Sequence, residues 1–122
     1  MKRVKLSTLS TDELVERFAE IGLAQDEAIW EYRSAEYNHL YMKMEAVRDE
    51  LRARSGDQRR LLVRLLDHVN PQVRLKAAIS VLALEPVAAR SVLEALYTSQ
   101  FPQRLDAGPI LRGLDSGSFV PT

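Results

Sequence analysis

The stretch that decides the fold is Leu65–Ala78, which reads LLDHVNPQVRLKAA. Its polar turn ends in Asn70-Pro71, and proline suits the first turn of a helix because its missing N–H would be unpaired there. The apolar residues that follow recur at helical spacing and cover nearly the whole circumference of a helix. The pattern predicts a central helix over residues 73–84, with another helix over residues 61–69 before it.

Proline marks the chain twice more, at Glu85-Pro86 and Phe101-Pro102, and each mark predicts the start of a further helix. The last of these helices, over residues 102–115, is expected to be kinked or broken near Gly108, because Pro109 removes an amide and clashes with the preceding turn. No stretch of the chain alternates strictly between apolar and polar residues, as a half-buried strand does.

The first half of the chain predicts two long helices. Ser10-Thr11-Asp12-Glu13 has the spacing of a capping box, in which Ser10 caps the backbone and Glu13 reaches back to it. The first helix then carries an apolar stripe made of Leu14, Phe18, Ile21, Gln25, Ala28 and Tyr32. The second helix carries a stripe made of Tyr37, Leu40, Met44, Val47 and Leu51.

An internal repeat relates parts of the chain. A shift of 30 residues aligns Leu66 with Leu96, Arg74 with Arg104, and Ala77 with Ala107. A period near 30 with two helices per unit is typical of a helical solenoid, and three units are about the minimum for a stable stack. We therefore expect one all-α domain over residues 1–122, a right-handed α-α superhelix of about six helices in three hairpins. Residues 1–9 and 116–122 are expected to be irregular tails.

The deciding stretch also resembles a HEAT-type repeat, in which a polar turn is followed by Pro, then Val-Arg, then two small residues. The resemblance implies structural roles for residues of this motif, namely Asp67, Asn70, Pro71, Val73, Arg74, Ala77 and Ala78. His68 departs from it, since HEAT turns usually carry an aspartate there. Arg74 lies in the first turn of an apolar helix, so we expect it to have a carboxylate partner, either Asp67 or an acid of a neighbouring repeat.

The whole chain resembles a small, uncharacterised bacterial family of ARM/HEAT-like helical proteins, a domain of unknown function. The segments that carry this resemblance include Leu23–Ala28, Tyr37-Asn38, Gly56–Arg60 and Gln72–Ala78. The resemblance implies the fold and no known activity.

Charge and composition limit the classes of partner. Lys+Arg and Asp+Glu both number 17, and a general nucleic-acid binder would need a positive excess. The chain has no cysteine, and no apolar run approaches the roughly 18 residues of a membrane span. The basic start of the chain is not followed by the apolar stretch of a signal peptide, so a cytoplasmic protein is expected.

The balanced total conceals two segments of opposite charge. Residues 12–36 carry eight acids against Arg17 and Arg33, a net charge of −6, whereas residues 54–76 carry a net charge of +4. Either the two segments attract each other within the fold, or the acidic segment is a surface for a basic partner.

The residues suggest no catalytic set, no metal site and no cofactor. His39 and His68 lie on different predicted helices, and neither has a second histidine at metal-ligand spacing. His68 is expected to satisfy carbonyls at the end of its helix. Gln25 lies on an apolar stripe, where a buried amide needs partners; it either bonds a neighbouring loop or helix end or lines a pocket.

The sequence favours a non-enzymatic protein–protein interaction module, a small scaffold or adaptor. The alternatives are an immunity or antidote protein that binds a basic toxin through the acidic segment 12–36, and an enzyme whose site is not recognised. The back of the first helix carries Leu23 and Trp30, which the C-terminal tail, a second copy of the chain or a different protein would cover. The candidate partner-binding residues are Leu23, Gln25, Asp26, Glu27, Trp30, Tyr37 and Asn38.

We predict that the isolated protein binds neither DNA nor RNA near physiological salt, because affinity for phosphate depends on uncompensated positive charge. A gel shift with low-micromolar protein at about 150 mM salt tests this. A retarded band would contradict the prediction and would move the functional site to Arg59, Arg60 and Arg64.

Overall fold

A computed structural model describes residues 4–122, and no strand occurs in that range. The all-α prediction is confirmed: five α-helices and one long 3-10 helix, η2, follow a single 3-10 turn, η1. Residues 1–3, part of the predicted irregular start, lie outside the described residues. No helix within residues 4–122 is long and apolar enough to cross a bilayer. The elements are η1 (Leu6–Thr8), α1 (Thr11–Trp30), α2 (Ser34–Ala53), η2 (Gln58–Leu65), α3 (Pro71–Val81), α4 (Pro86–Tyr97) and α5 (Arg104–Ser116).

The chain forms two compact units, Met1–Leu61 and Leu62–Thr122. In the first unit α1 packs on α2, and the short link between them makes the two helices antiparallel. Both predicted apolar stripes supply the buried face, except that Tyr37 is only half-buried and Tyr32 lies beyond the end of α1. The buried apolar residues are Leu14, Val15, Phe18, Ile21, Ala28, Leu40, Met44, Val47 and Leu51.

The two free ends of this hairpin are joined by polar contacts. The predicted capping box is confirmed: the Glu13 amide donates to Ser10 Oγ at 3.1 Å, and the Ser10 amide donates to Glu13 Oε1 at 3.0 Å. Arg54, which follows α2, donates to the carbonyls of Leu9 at 2.7 Å and Leu6 at 3.2 Å. Its Nε also donates to Glu50 at 3.0 Å. The last turn of α2 is therefore held against the start of α1.

The helix predicted over residues 61–69 is a 3-10 helix that begins earlier and ends at Leu65. The burial pattern accounts for the difference, because Arg59, Leu62 and Leu65 are buried at every third position. Side chains three residues apart eclipse each other in a 3-10 helix and share one face, whereas in an α-helix they drift round the axis.

A partly buried ion pair joins Asp57, which precedes η2, to Arg59 in its first turn. Arg59 Nε donates to Asp57 Oδ1 at 2.9 Å and its Nη2 donates to Oδ2 at 2.7 Å, a bidentate pair. The Arg59 side chain is only 7% exposed. Asp57 has a φ of +51°, in the left-handed region, which aspartate tolerates better than most residues.

In the second unit α4 packs on both α3 and α5. The Asn70 side chain caps α3, accepting from the amides of Gln72 at 2.9 Å and Val73 at 3.2 Å, and Pro71 is the first helical residue. Arg90 of α4 donates to Asp115 of α5 at 2.8 Å. The buried apolar residues of this unit are Leu62, Leu65, Val73, Leu75, Ala77, Ala78, Val81, Leu82, Ala89, Leu93, Leu96, Ala107 and Leu111.

The expected carboxylate partner of Arg74 is not found. Within the described residues Arg74 forms no ion pair, and its guanidinium carbon lies 5.9 Å from the centre of the Phe101 ring. The ring face carries negative charge density, so it stabilises the cation in place of a carboxylate. Asp67 is exposed.

Of the predicted kink or break near Gly108, the break does not occur, since α5 runs without interruption from Arg104 to Ser116 with Pro109 inside it. The lost hydrogen bond and the steric clash cost about 3 kcal/mol or more, and the burial of Ala107 and Leu111 offsets this. Gly108 brings α5 close to α4: a Cβ built on it would lie 2.9 Å from a ring carbon of Tyr97.

We predict that Asp57→Asn lowers the free energy of unfolding by about 1–3 kcal/mol near neutral pH, because it removes the carboxylate that binds the buried Arg59 side chain through two hydrogen bonds. Asparagine also tolerates positive φ, so the substitution isolates the charge. Chemical denaturation of both proteins measures the difference.

The pH dependence gives this prediction a second readout. The hydrogen bonds from Arg59 hold the pKa of Asp57 below its ordinary value. The pair therefore stabilises the fold above the unfolded-state pKa, and this contribution is lost as the pH falls below about 4. The two proteins should converge in stability there. The control Glu31→Gln removes the half-exposed pair with Arg33 and should change stability by under about 1 kcal/mol. An equal decrease in the free energy of unfolding for Asp57→Asn and Glu31→Gln would contradict the prediction.

Candidate functional site

The seven candidate partner-binding residues differ in exposure. Gln25 is fully buried, because α1 directs its side chain to the inner face of the helix, so it lies off the surface that a partner would contact. The other six reach the surface. The four exposed residues are Leu23, Glu27, Trp30 and Asn38, and the two half-buried residues are Asp26 and Tyr37.

A row of exposed residues runs along the side of α1 opposite its buried face. At 100° per residue they fall within an arc of about 80°, and all are exposed to solvent. Trp30 is 63% exposed and Leu23 is 44% exposed. We call this row the outer stripe; it consists of Glu16, Glu20, Leu23, Glu27 and Trp30.

The outer stripe is acidic as well as apolar. The side chains of Glu16, Glu20 and Glu27 form no ion pair or hydrogen bond with any of the described residues. Arg33, one of the two cations of the acidic segment, is paired with Glu31 at 2.9 Å. The three glutamates of the stripe are therefore exposed and have no ion-pair partner among residues 4–122.

A shallow pocket of about 140 Å³ lies beside the first half of the stripe. Hydrogen bonds with Ser10, mainly through the backbone, hold the pKa of Glu13 below its ordinary value, so this carboxylate stays ionised. The pocket contains more carboxylates than cations; its lining is Leu9, Glu13, Glu16, Arg17 and Glu20.

The turn after α1 carries a second exposed aromatic residue. Tyr32 was predicted on the apolar stripe of the first helix, but it lies past the helix end, with φ of +55° and 92% exposure. The Arg33 amide donates to the Ala28 carbonyl at 2.9 Å and the Tyr32 amide to the Ile29 carbonyl at 3.3 Å. This is the Schellman arrangement, with tyrosine at the position where glycine is usual.

The described contacts of the C-terminal tail lie within its own unit, and cover of the outer stripe by the tail stays a prediction. The Phe119 amide donates to the Gly113 carbonyl of α5 at 3.1 Å, and Gly117 permits this return with a φ of +78°. Pro121 lines a cavity of about 340 Å³ in the second unit, together with Leu114. The tail is thus engaged by its own unit, and Leu23 and Trp30 remain exposed.

The remaining chemistry-bearing residues are dispersed. Within residues 4–122, no group of three or more His, Asp or Glu side chains is placed to hold a metal ion. His39 is exposed. His68 Nδ1 accepts a hydrogen bond from the Asn70 amide at 3.0 Å, so it orders the turn before α3 rather than donating to helix-end carbonyls.

A buried amide pair was missed by the sequence reasoning. Gln103 Nε2 donates to Gln72 Oε1 at 2.9 Å, and both side chains are fully buried. The available signal was the dipeptide Pro-Gln, which occurs at Pro71-Gln72 and again 31 residues later at Pro102-Gln103. The pair ties the start of α3 to the residue that precedes α5.

Two comparisons identify similar proteins. The family model described as a domain of unknown function (DUF2019) matches residues 12–115. The crystal structure of the protein RPA1889 from Rhodopseudomonas palustris CGA009 is 43% identical in sequence, with a TM-score of 0.94 over 98% of this chain and 100% of that chain. No curated protein matches the chain.

We predict that Tyr32→Gly raises the free energy of unfolding by about 0.5–1 kcal/mol, because glycine adopts the left-handed conformation without the steric cost of a Cβ. Tyr32→Ala is the matched control, since it removes the ring and keeps the Cβ. Chemical denaturation should show a gain for the glycine variant alone. If the glycine variant is no more stable than the alanine variant, the Cβ at position 32 does not strain the backbone and the prediction is wrong.

Proposed function

The chain belongs to the family described as a domain of unknown function (DUF2019), and we propose that it is a protein–protein interaction module, a small non-enzymatic scaffold or adaptor. The observation that carries the proposal is the exposure of Trp30 and Leu23 on the outer stripe of α1. Tryptophan is enriched among the few residues that supply most of the binding energy of an interface.

The position of these two residues supports the proposal. The inner face of α1 is already occupied by α2, so the outer stripe makes no contribution to the core of its hairpin. Single exposed apolar residues are ordinary on a protein surface. A tryptophan and a leucine aligned on one helix face and bordered by carboxylates instead have the composition of an interface centre with a polar rim.

We further propose that the helices belong to a HEAT-like superhelix. Asn70 caps a helix that begins at Pro71, and small residues Ala77 and Ala78 are buried in it, as the repeat motif requires. The two Pro-Gln dipeptides lie 31 residues apart, close to the 30-residue shift that aligns other parts of the chain, and this spacing supports a repeat near that length. Stacked repeats of this kind present extended binding surfaces.

A narrower candidate is an immunity or antidote protein that binds a basic toxin through residues 12–36. The three glutamates of the outer stripe favour it, since none of them forms an ion pair with a described residue. This candidate uses the same surface and differs only in the identity of the partner.

Photo-crosslinking in the native cell tests the proposed function. We expect the full chain with a benzophenone amino acid at position 23 to give an adduct with another protein. Trp30→Ala should reduce the adduct strongly, since loss of a hot-spot residue weakens binding on the order of 30-fold. The matched control places the same amino acid at Val87, which is also exposed but lies on α4.

Two results would contradict the proposed function. One is equal labelling from positions 23 and 87, which indicates random collision. The other is the absence of any protein adduct from position 23. An adduct with the mass of two copies of the chain would identify the partner as the protein itself.

A further inference from the structure

We propose that the outer stripe of α1 binds a basic amphipathic segment of its partner, one that offers lysine or arginine side chains beside a short apolar face. This inference rests on the proposed function and names the chemistry of the partner at the same surface. It is carried by the arrangement of charged and apolar residues along α1.

The apolar part of the site is small and linear. Leu23 and Trp30 are seven residues apart, which places them about 10 Å apart along one side of α1. A partner helix with apolar residues at the same interval would contact both. The contact area of two side chains is limited, so the remaining affinity has to come from charge.

The charged part of the site is negative along the whole stripe. Glu16 and Glu20 precede Leu23, and Glu27 lies between Leu23 and Trp30, so each apolar residue has carboxylates as neighbours. None of these three has an ion-pair partner among the described residues. Cationic groups on either side of the partner's apolar face would meet them directly.

The aromatic residues at the end of α1 add a second means of binding cations. Trp30 and Tyr32 are both largely exposed and are separated by one residue, Glu31. Lysine and arginine bind over exposed aromatic rings. The left-handed conformation of Tyr32 holds this ring outside the helix, which explains why a strained residue stands where glycine is usual.

The same charges argue against other occupants. Nucleic acids and anionic membrane surfaces would be repelled by the glutamates. A second copy of the chain that paired through the stripe with two-fold symmetry would place the same acidic patch on both sides of the interface. Glu16, Glu20 and Glu27 of one copy would then approach those of the other, which is unfavourable.

Titration of the full chain with two synthetic helices tests the inference. The probe is an amphipathic peptide of lysine and leucine, and the control is the same peptide with glutamate in place of lysine. Trp30 is the only tryptophan, so its fluorescence reports contact at the stripe. We expect a blue shift with the lysine peptide alone, and weaker binding as salt is raised.

Matched charge reversals show whether the stripe itself binds. Glu20→Lys with Glu27→Lys should weaken binding of the lysine peptide by about tenfold or more. Asp67→Lys with Asp106→Lys makes the same change in net charge at exposed positions outside α1, and it should leave affinity within about twofold. Thermal unfolding of both variants confirms that each is folded.

Several results would overturn the inference: no binding of the lysine peptide, equal binding of the glutamate peptide, or equal losses in the two double variants. A wild-type dimer in sedimentation that Glu20→Lys with Glu27→Lys converts to monomer would assign the stripe to a second copy. If one of the first three results is obtained but position 23 still crosslinks to another protein, the proposed function holds and the basic character of the partner is rejected. If position 23 also gives no crosslinked protein, both the basic partner and the proposed function are rejected.

Discussion

The structure of the first unit depends on one geometric constraint, which is that a helix packed on one neighbour buries only one side. In α1 that side contains Leu14, Phe18 and Ile21 among others, and α2 covers it. Arg54 fixes the arrangement from the far end, because its guanidinium donates to two carbonyls before α1. With the inner face so held, the outer stripe has to face outward.

At the end of α1, the residue that would best stabilise the turn differs from the residue that is present, Tyr32. A glycine at position 32 would make the same turn without steric strain, since the hydrogen bonds that close the helix involve only backbone atoms. Tyrosine there adds a ring that is 92% exposed and packs against little. Strain that stability does not require is a physical reason to associate a residue with function.

Local signals account for what the sequence predicted correctly. The capping box at Ser10 and Glu13 and the helix start at Asn70-Pro71 follow from hydrogen-bonding rules that act over three residues. The exposure of Leu23 and Trp30 follows from helical periodicity, because α1 carries apolar residues on two sides and one neighbour covers only one of them.

The errors arise where distant residues meet or where a local rule has an exception. Arg74 contacts Phe101, and Gln72 bonds Gln103, because two helix starts lie together, which spacing along the chain does not reveal. Tyr32 leaves the helix without the glycine that normally signals such an end. Pro109 remains helical because burial on one side of α5 outweighs the loss of one hydrogen bond.

The path of the tail is set by its own helix, α5. Gly117 reverses the chain after α5, and the Phe119 Cβ occupies a position 2.9 Å from where a Cβ of Gly113 would lie. A side chain at position 113 would displace the tail, so this glycine is required for the tail to pack on its own helix. The tail also has no lysine or arginine in residues 116–122. It therefore carries no positive charge that could neutralise the glutamates of the stripe. Under the proposed function, positive charge beside an apolar face comes from the partner.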